Sequence, residues 1–107
     1  MPLESTFKRQ LIKELMEQYP GAIILKTNAN DLQGFPDQII LYKSRWAAFE
    51  AKQSGMARHR PNQDYYVDIL DEMSFARFVY PENKEDFLDE LQHALRPRRR
   101  TRILVGE

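Results

Sequence analysis

The first quarter of the chain carries a helical pattern of apolar residues that then changes to an extended pattern. The spacing predicts a helix over 3–19, with no internal Gly or Pro and one apolar face. A Pro-Gly dipeptide at 20–21 ends this helix, and the run 22–27, rich in β-branched residues, predicts a strand. The residues of the apolar helix face are Leu3, Phe7, Leu11, Leu15 and Tyr19.

The middle of the chain has the pattern of a β-hairpin followed by a helix. After a polar loop over 28–34, apolar runs at about 36–42 and 46–52 flank a three-residue turn and predict two paired strands. A polar segment follows at 53–60, and Pro61 is expected to open a second helix in the favoured first-turn position. The predicted buried face of this helix consists of Tyr66, Ile69, Leu70 and Met73.

The last part of the patterned chain predicts one more strand and one more helix. The run 75–80 reads as a strand that Pro81 ends, and 82–95 carries a helical apolar face with acidic residues early, as a helix N-terminus prefers. The element order is therefore α-β-β-β-α-β-α. This order predicts an α/β fold with a central four-stranded mixed sheet flanked by helices.

Composition limits the size and the chemistry of the protein. A chain of 107 residues has room for one core. Because there is no cysteine, disulfides, thiolate metal sites and thiol nucleophiles are excluded. Sixteen Lys and Arg balance sixteen Asp and Glu, so the molecule as a whole is not attracted to nucleic acid or to anionic membranes.

The sequence shows no pattern of a membrane span or of a secretory signal. Its longest apolar stretches, such as 22–25 and 39–42, are far shorter than the roughly 20 residues that a membrane helix requires. The N-terminal residues 1–4 lack the basic region and apolar run of a signal peptide. We therefore expect an intracellular protein with no membrane partner.

Three carboxylates fall at positions where the packing pattern calls for apolar residues. At 100° per residue, Glu4 lies near the middle of the apolar arc of the first helix. Asp37 shares a face with apolar residues of the second strand, and alternation places Glu50 and Lys52 on one face of the third. Each has an ordinary explanation when taken alone: a first-turn acid, a turn residue, and an exposed ion pair.

Taken together, the three carboxylates indicate a metal site. The hairpin would bring Asp37 and Glu50 onto neighbouring strands, and burying them unpaired would be costly. A bound Mg²⁺ would offset that cost, since it prefers hard oxygen ligands. Lys52 would then lie beside the metal, where its ammonium could orient the attacking water. Helical spacing also points Gln63 inward, with a solvated first-turn glutamine as the alternative.

These motifs resemble those of the PD-(D/E)XK nuclease superfamily. Gly34-Phe35-Pro36-Asp37 is similar to its first motif and Glu50-Ala51-Lys52 to its second, with a hairpin between them. Leu3-Glu4 followed by Leu11 resembles the first-helix motif of phage and archaeal Holliday-junction resolvases. Arg60-Pro61-Asn62-Gln63 resembles the glutamine motif of stand-alone VRR-NUC domains. The resemblance covers about residues 3–80 and implies a restriction-endonuclease-like core.

The resemblance also implies a role for each residue of these motifs. Asp37 and Glu50 would hold Mg²⁺ together with the backbone carbonyl of Ala51, and Mn²⁺ is expected to substitute. Glu4 would complete the acidic set, although Glu14 on the same predicted helix is an alternative. The implied catalytic residues are Glu4, Asp37, Glu50, Lys52 and Gln63.

A local cationic surface is compatible with a net charge of zero. We divide the chain into a single nuclease domain over 1–95 and a basic C-terminal tail over 96–107, which binds DNA or is simply a solvated disordered tail. His59 is a lone loop histidine of the kind that is usually just exposed. The candidate DNA-binding residues are Lys8, Arg9, Arg58, Arg60, Arg96, Arg98, Arg99, Arg100 and Arg102.

The leading interpretation is a Mg²⁺-dependent DNA endonuclease that hydrolyses phosphodiester bonds of branched DNA, as the resemblance to resolvases of recombination and repair implies. The alternatives are a nickase, a repair or recombination exonuclease, and a catalytically silent DNA-binding module. We expect a homodimer because resolving a junction takes two strand scissions. The apolar run 103–105 and the exposed side of the first helix are its candidate contacts. The expected location is cytoplasmic, meaning the host cytoplasm if the chain is phage-encoded.

Overall fold

The computed structural model describes residues 3–28 and 30–97. These form one four-stranded sheet in the order β1-β2-β3-β4, with antiparallel pairing from β1 to β3 and parallel pairing of β3 with β4. The predicted α/β class and mixed four-stranded sheet are confirmed. The elements are α1 (Glu4–Gln18), β1 (Ile23–Lys26), β2 (Gln38–Tyr42), β3 (Arg45–Ala51), α2 (Gln63–Met73), β4 (Ala76–Val79) and α3 (Lys84–Ala94).

Helix α1 forms because its apolar residues recur on one face, and that face is buried against the sheet. Phe7, Leu11, Leu15 and Tyr19 are all at most 6% exposed. The prediction was wrong for Leu3, which is 67% exposed. Leu3 is the N-cap and has an extended backbone, so its side chain leaves the helical arc before the helix begins.

Strand β3 is the centre of the molecule, and its alternation confirms the predicted division into two faces. Ala47, Phe49 and Ala51 lie in the larger core, beneath α1 and α3. Ala48 lies in the smaller core, which Val67 and Leu70 of α2 cover. Glu50 continues the row that contains Ala48, so it projects from the side of the sheet on which α2 lies.

Helix α2 begins two residues later than the Pro61 start that we predicted. Asn62 precedes the helix with a left-handed backbone, φ 71°, which the helix cannot include. The buried residues of α2 are Gln63, Val67 and Leu70. Met73 was predicted to be buried and is 68% exposed, because it lies in the last turn, next to the C-cap at Ser74.

The third predicted helix also begins later than expected. A 3-10 turn at Pro81–Asn83 precedes α3, and the side chain of Asn83 accepts a hydrogen bond from the backbone N–H of Tyr80. Leu95 follows α3 and is fully buried, so the core extends to the predicted domain boundary. Of the predicted tail, only Arg96 and Pro97 are described, and both are exposed.

Several sequence predictions fall on residues that the structure does not describe. They are the DNA-binding residues Arg98, Arg99, Arg100 and Arg102 and the apolar run 103–105. Within 3–28 and 30–97, no helix combines the length and the apolar character that a membrane crossing demands.

Gly34 and Gly21 offer a matched pair of substitutions, because both have a left-handed backbone. An added Cβ at Gly34 would lie 2.6 Å from the carbonyl oxygen of Pro61, whereas one at Gly21 would meet no atom within 4 Å. We expect G21A to cost only the left-handed strain of about 1–2 kcal/mol. G34A should cost roughly 1–3 kcal/mol more, because the segment before α2 must move. Urea unfolding measures the unfolding free energies of both variants. Equal losses of stability would contradict the close contact at Gly34.

Candidate functional site

An open cavity of about 950 Å³ lies where α1, the start of β2, the end of β3 and the start of α2 meet. Each of the five residues predicted to be catalytic from the sequence lines this cavity. Its charged and amide-bearing lining includes Glu4, Lys8, Asp37, Glu50, Lys52, Arg60 and Gln63.

Asp37 and Glu50 are brought together by the β2–β3 hairpin. The last pair of this ladder is Gln38 with Phe49, so Asp37 and Glu50 come one step beyond it. The backbone N–H of Asp37 donates a hydrogen bond to Glu50 Oε1 at 3.1 Å. The juxtaposition of these carboxylates, which the sequence predicted from the hairpin, is therefore present in the structure.

Glu50 is held in an environment that disfavours its charged form. Its side chain lies among buried residues, and the whole residue is only 7% exposed. Burial, and then the negative charge of Asp37, raise the pKa of Glu50 from 4.5 to about 7, against the opposing effects of the Asp37 N–H and Lys52. At neutral pH the site therefore contains negative charge that its neighbours compensate only in part.

Lys8 of α1 pairs directly with Asp37. Its Nζ lies 2.6 Å from Asp37 Oδ2, and the two side chains are 22% and 23% exposed. Desolvation would lower the pKa of Lys8, but the hydrogen bond and charge of Asp37, with the charges of Glu4 and Glu50, raise it overall. The sequence grouped Lys8 with an exposed cationic surface, whereas the structure places it in the carboxylate cluster. Its spacing of four residues from Glu4 was the signal that could have located it.

The structure separates the two acidic candidates on α1. Glu4 lines the cavity, and its charge contributes to the raised pKa values of Lys8 and Glu50. Glu14 instead forms an ion pair with Lys84 of α3 at 2.7 Å, away from the cavity. Glu4 is therefore the residue of α1 that can act with Asp37 and Glu50.

Lys52 and Gln63 form a buried hydrogen-bonded unit with the loop between β3 and α2. Both residues are nearly inaccessible, at 5% and 4% exposed. Lys52 Nζ donates to Gln63 Oε1 at 2.9 Å and to the carbonyl of Arg58 at 3.2 Å. The same Gln63 oxygen accepts the backbone N–H of Arg60 at 2.8 Å. The inward orientation predicted for Gln63 is thus present, and its amide fixes the catalytic-lysine candidate to the loop.

The candidate phosphate-binding residues do not form one surface in the described part of the chain. Arg9, Arg58, Arg60 and Arg96 are exposed, and among these four only Arg60 lines the cavity. His59 lines a separate cavity of about 440 Å³ beside α2 and β4, where its Nδ1 lies 2.7 Å from Asp64 Oδ1 and its ring stacks on Phe78.

The donor set of the cavity fits a hard divalent cation. Asp37 Oδ1 is buried and has no hydrogen-bond partner among the residues that the structure describes, so one carboxylate oxygen is available for a ligand. Ala51 follows Glu50 in β3, and since its methyl side chain has no donor atom, only its backbone carbonyl could serve as a ligand. Within the described ranges, however, no three His, Asp or Glu side chains are grouped closely enough to hold a metal ion. Instead, Asp37 forms an ion pair with Lys8, and Glu50 accepts a hydrogen bond from the Asp37 N–H.

Comparison of the sequence with protein-family models gave no match, and comparisons with curated proteins and with solved structures also gave none. The functional argument therefore depends on the residues and geometry of this cavity.

The raised pKa of Glu50 predicts how the stability of the metal-free protein depends on pH. Because the pKa of the folded state, about 7, exceeds the ordinary 4.5, the folded protein binds the proton more tightly and loses stability as the pH rises between these values. E50Q removes this loss. We therefore compare the unfolding free energies of E50Q and the wild type in EDTA. The difference between them, E50Q minus wild type, should be larger at pH 8 than at pH 5 by up to about 3 kcal/mol.

Urea unfolding at both pH values checks this expectation, with E82Q, a change at an exposed glutamate, as the control. A difference between wild type and E50Q that is the same at pH 5 and pH 8 would show that the Glu50 pKa is ordinary.

Proposed function

We propose that this chain is a Mg²⁺-dependent DNA endonuclease of the PD-(D/E)XK superfamily, which hydrolyses phosphodiester bonds with a metal-activated water. The observation that carries the proposal is the meeting of Asp37 and Glu50 at the end of the β2–β3 hairpin, with Lys52, the residue after β3, in the lining of the same cavity. Side chains in this arrangement can hold a cation and an attacking water side by side.

The overall architecture supports the same proposal. An antiparallel hairpin carries the Asp and the Glu-x-Lys motif, and a helix then leads to a strand parallel to β3. This is the order that the resemblance to a restriction-endonuclease-like core implies. Glu4 at the start of α1 and Gln63 at the start of α2 adjoin the same cavity.

Each residue has a distinct role in the proposed reaction. Asp37, Glu50 and the backbone carbonyl of Ala51 hold the metal, and Glu4 adds a further carboxylate. When bound, Mg²⁺ supplies a more acidic water and a positive charge beside the phosphate. Lys52 orients the attacking water and offsets charge that develops on the phosphate. Gln63 keeps the Lys52 ammonium in place through their hydrogen bond.

The proposed substrate is branched DNA, with a Holliday junction as the leading form. Arg60 lines the cavity, and exposed Arg58 lies in the same loop, so cations flank the proposed scissile site. Such contacts position the phosphate backbone without reading base sequence. Cleavage would then be directed by the shape of the DNA.

One observation favours a second candidate, a catalytically silent DNA-binding module. Lys8 already neutralises Asp37, and the described residues contain no ready-made cluster of three metal ligands. A module of this kind would keep the fold and its cationic residues and would bind DNA without cutting it.

Cleavage assays with single variants test the proposed mechanism. We expect D37N, E50Q and K52M each to lower the cleavage rate by on the order of a thousandfold or more, because each removes a group that serves the metal or its water. E4Q should also lower the rate, whereas E14Q, which alters a glutamate of the same helix outside the cavity, should not. The substrates are labelled four-way junction, flap, linear duplex and single-stranded DNA, with Mg²⁺, Mn²⁺ or EDTA.

The same assay separates the alternatives. Wild-type cleavage in excess EDTA would overturn the metal mechanism. A wild-type protein that binds the junction but cuts nothing with either metal would be a silent module. Cutting of only one strand, or release of mononucleotides from ends, would instead indicate a nickase or an exonuclease of the same superfamily.

We further propose that the working form is a homodimer, because one cavity per chain can cut one strand at a time. Ile23 and Leu25 of β1 are 56% and 49% exposed and pair across the sheet with Leu41 and Ile39, so an apolar strip is available to a second copy. Light scattering at micromolar concentration should give twice the chain mass of 12.7 kDa. A stable monomer, both alone and with junction DNA, would contradict the dimer.

A further inference from the structure

Lys8 and Lys52 both line the cavity but have different hydrogen-bond partners. Lys52 donates its hydrogen bonds to Gln63 and to the Arg58 carbonyl. Lys8 donates to Asp37, at 2.6 Å, and belongs to a different element, α1. The Asp37 carboxylate therefore has a cation of the protein itself on one oxygen, Oδ2, while its other oxygen, Oδ1, is buried without a partner in the described part of the chain.

A metal ion on Asp37 Oδ1 and the Lys8 ammonium on Oδ2 would compete for the negative charge of one carboxylate. Both are attracted by Asp37 and Glu50, but they repel each other at the distances that a shared carboxylate imposes. The partial burial of the pair strengthens this repulsion, because solvent screens it less than on an open surface. A metal ion that binds Asp37 must therefore weaken or replace the Lys8 contact.

We propose that Lys8 is an exchangeable internal cation: it holds Asp37 in the metal-free protein, gives way to the divalent metal, and then contacts a backbone phosphate of the DNA. The inference rests on the proposed function, since it concerns the same metal and substrate. Lys8 has a long flexible side chain, lines the cavity and keeps part of its surface in solvent, so its ammonium can move without a change in the backbone.

This exchange couples metal binding to DNA binding. Metal binding releases a cation that DNA can use, so each ligand should increase the affinity for the other by the same factor. The described residues group no three metal ligands, and in the proposed exchange the ion pair of Lys8 with Asp37 is the metal-free state of the site.

Titration calorimetry with Mn²⁺, without DNA, tests the exchange directly. K8M removes the competing charge, so we expect it to bind Mn²⁺ at least fivefold more tightly than the wild type. K8R retains the charge and should show no such gain. K13M, which changes an exposed lysine of the same helix, is the matched control and should bind as the wild type does. D37N should abolish binding in every background.

A second measurement follows the proposed phosphate contact. With Ca²⁺ as the metal, fluorescence anisotropy should show that K8M binds junction DNA more weakly than the wild type and that the metal-induced gain in DNA affinity is reduced. If the metal-induced gain in DNA affinity is the same in wild type and K8M, the proposal of a contact between Lys8 and phosphate is wrong.

The wild-type protein offers a test that does not depend on whether K8M folds. Nitrogen-15 NMR of the lysine ammonium groups should show a Lys8 signal in EDTA that is protected from proton exchange with water. This signal should be lost on saturation with Mg²⁺. A protected signal that persists at saturation would overturn the exchange.

The outcomes also distinguish this inference from the proposed function. Equal, measurable Mn²⁺ affinities for wild type and K8M would overturn the exchange but leave the metal site intact. Absence of Mn²⁺ binding in both proteins would overturn the metal-dependent function and the exchange with it.

Discussion

The structure depends on a pair of carboxylates, Asp37 and Glu50, held next to each other at the end of the central hairpin. Two such groups repel each other and resist burial, so neighbouring elements must supply positive charge or hydrogen-bond donors. The backbone N–H of Asp37 and the ammonium of Lys8 do so. The compensation is incomplete, as the raised pKa of Glu50 and the unpaired Asp37 oxygen show. This incomplete compensation is the reason that a bound cation is part of the function we propose.

The rest of the fold keeps this pair in place. Strand β3 is packed on both faces, by the larger core beneath α1 and α3 and by the smaller core beneath α2. Close approach at Gly34 brings the segment before α2 against the loop that precedes Asp37. Gln63 then joins that segment to Lys52. A buried scaffold thus fixes the polar groups, while Lys8 contacts Asp37 from a partly exposed position on α1.

The positive charge of Lys8 has two consequences for the site. As the partner of Asp37 it stabilises a metal-free fold that would otherwise bury uncompensated charge. It also lines the cavity that contains the carboxylates. Under the proposed exchange, the ion pair that stabilises the metal-free fold would oppose metal binding.

The sequence by itself determined the element order and the two faces of β3, because these follow from local periods of two residues in a strand and about 3.6 in a helix. For Gln63 it left an inward and a solvated position open, and the structure decided for the inward one. The sequence also brought Asp37 and Glu50 onto neighbouring strands of one hairpin, whereas the structure decided that both come one step beyond the last pair of the ladder. It could not place Leu3, Met73 or the start of α2, where caps and a left-handed residue override periodicity. Nor could it assign Lys8 to Asp37, 29 residues away. That contact depends on how α1 crosses the end of the sheet, which only the packing of the whole core decides.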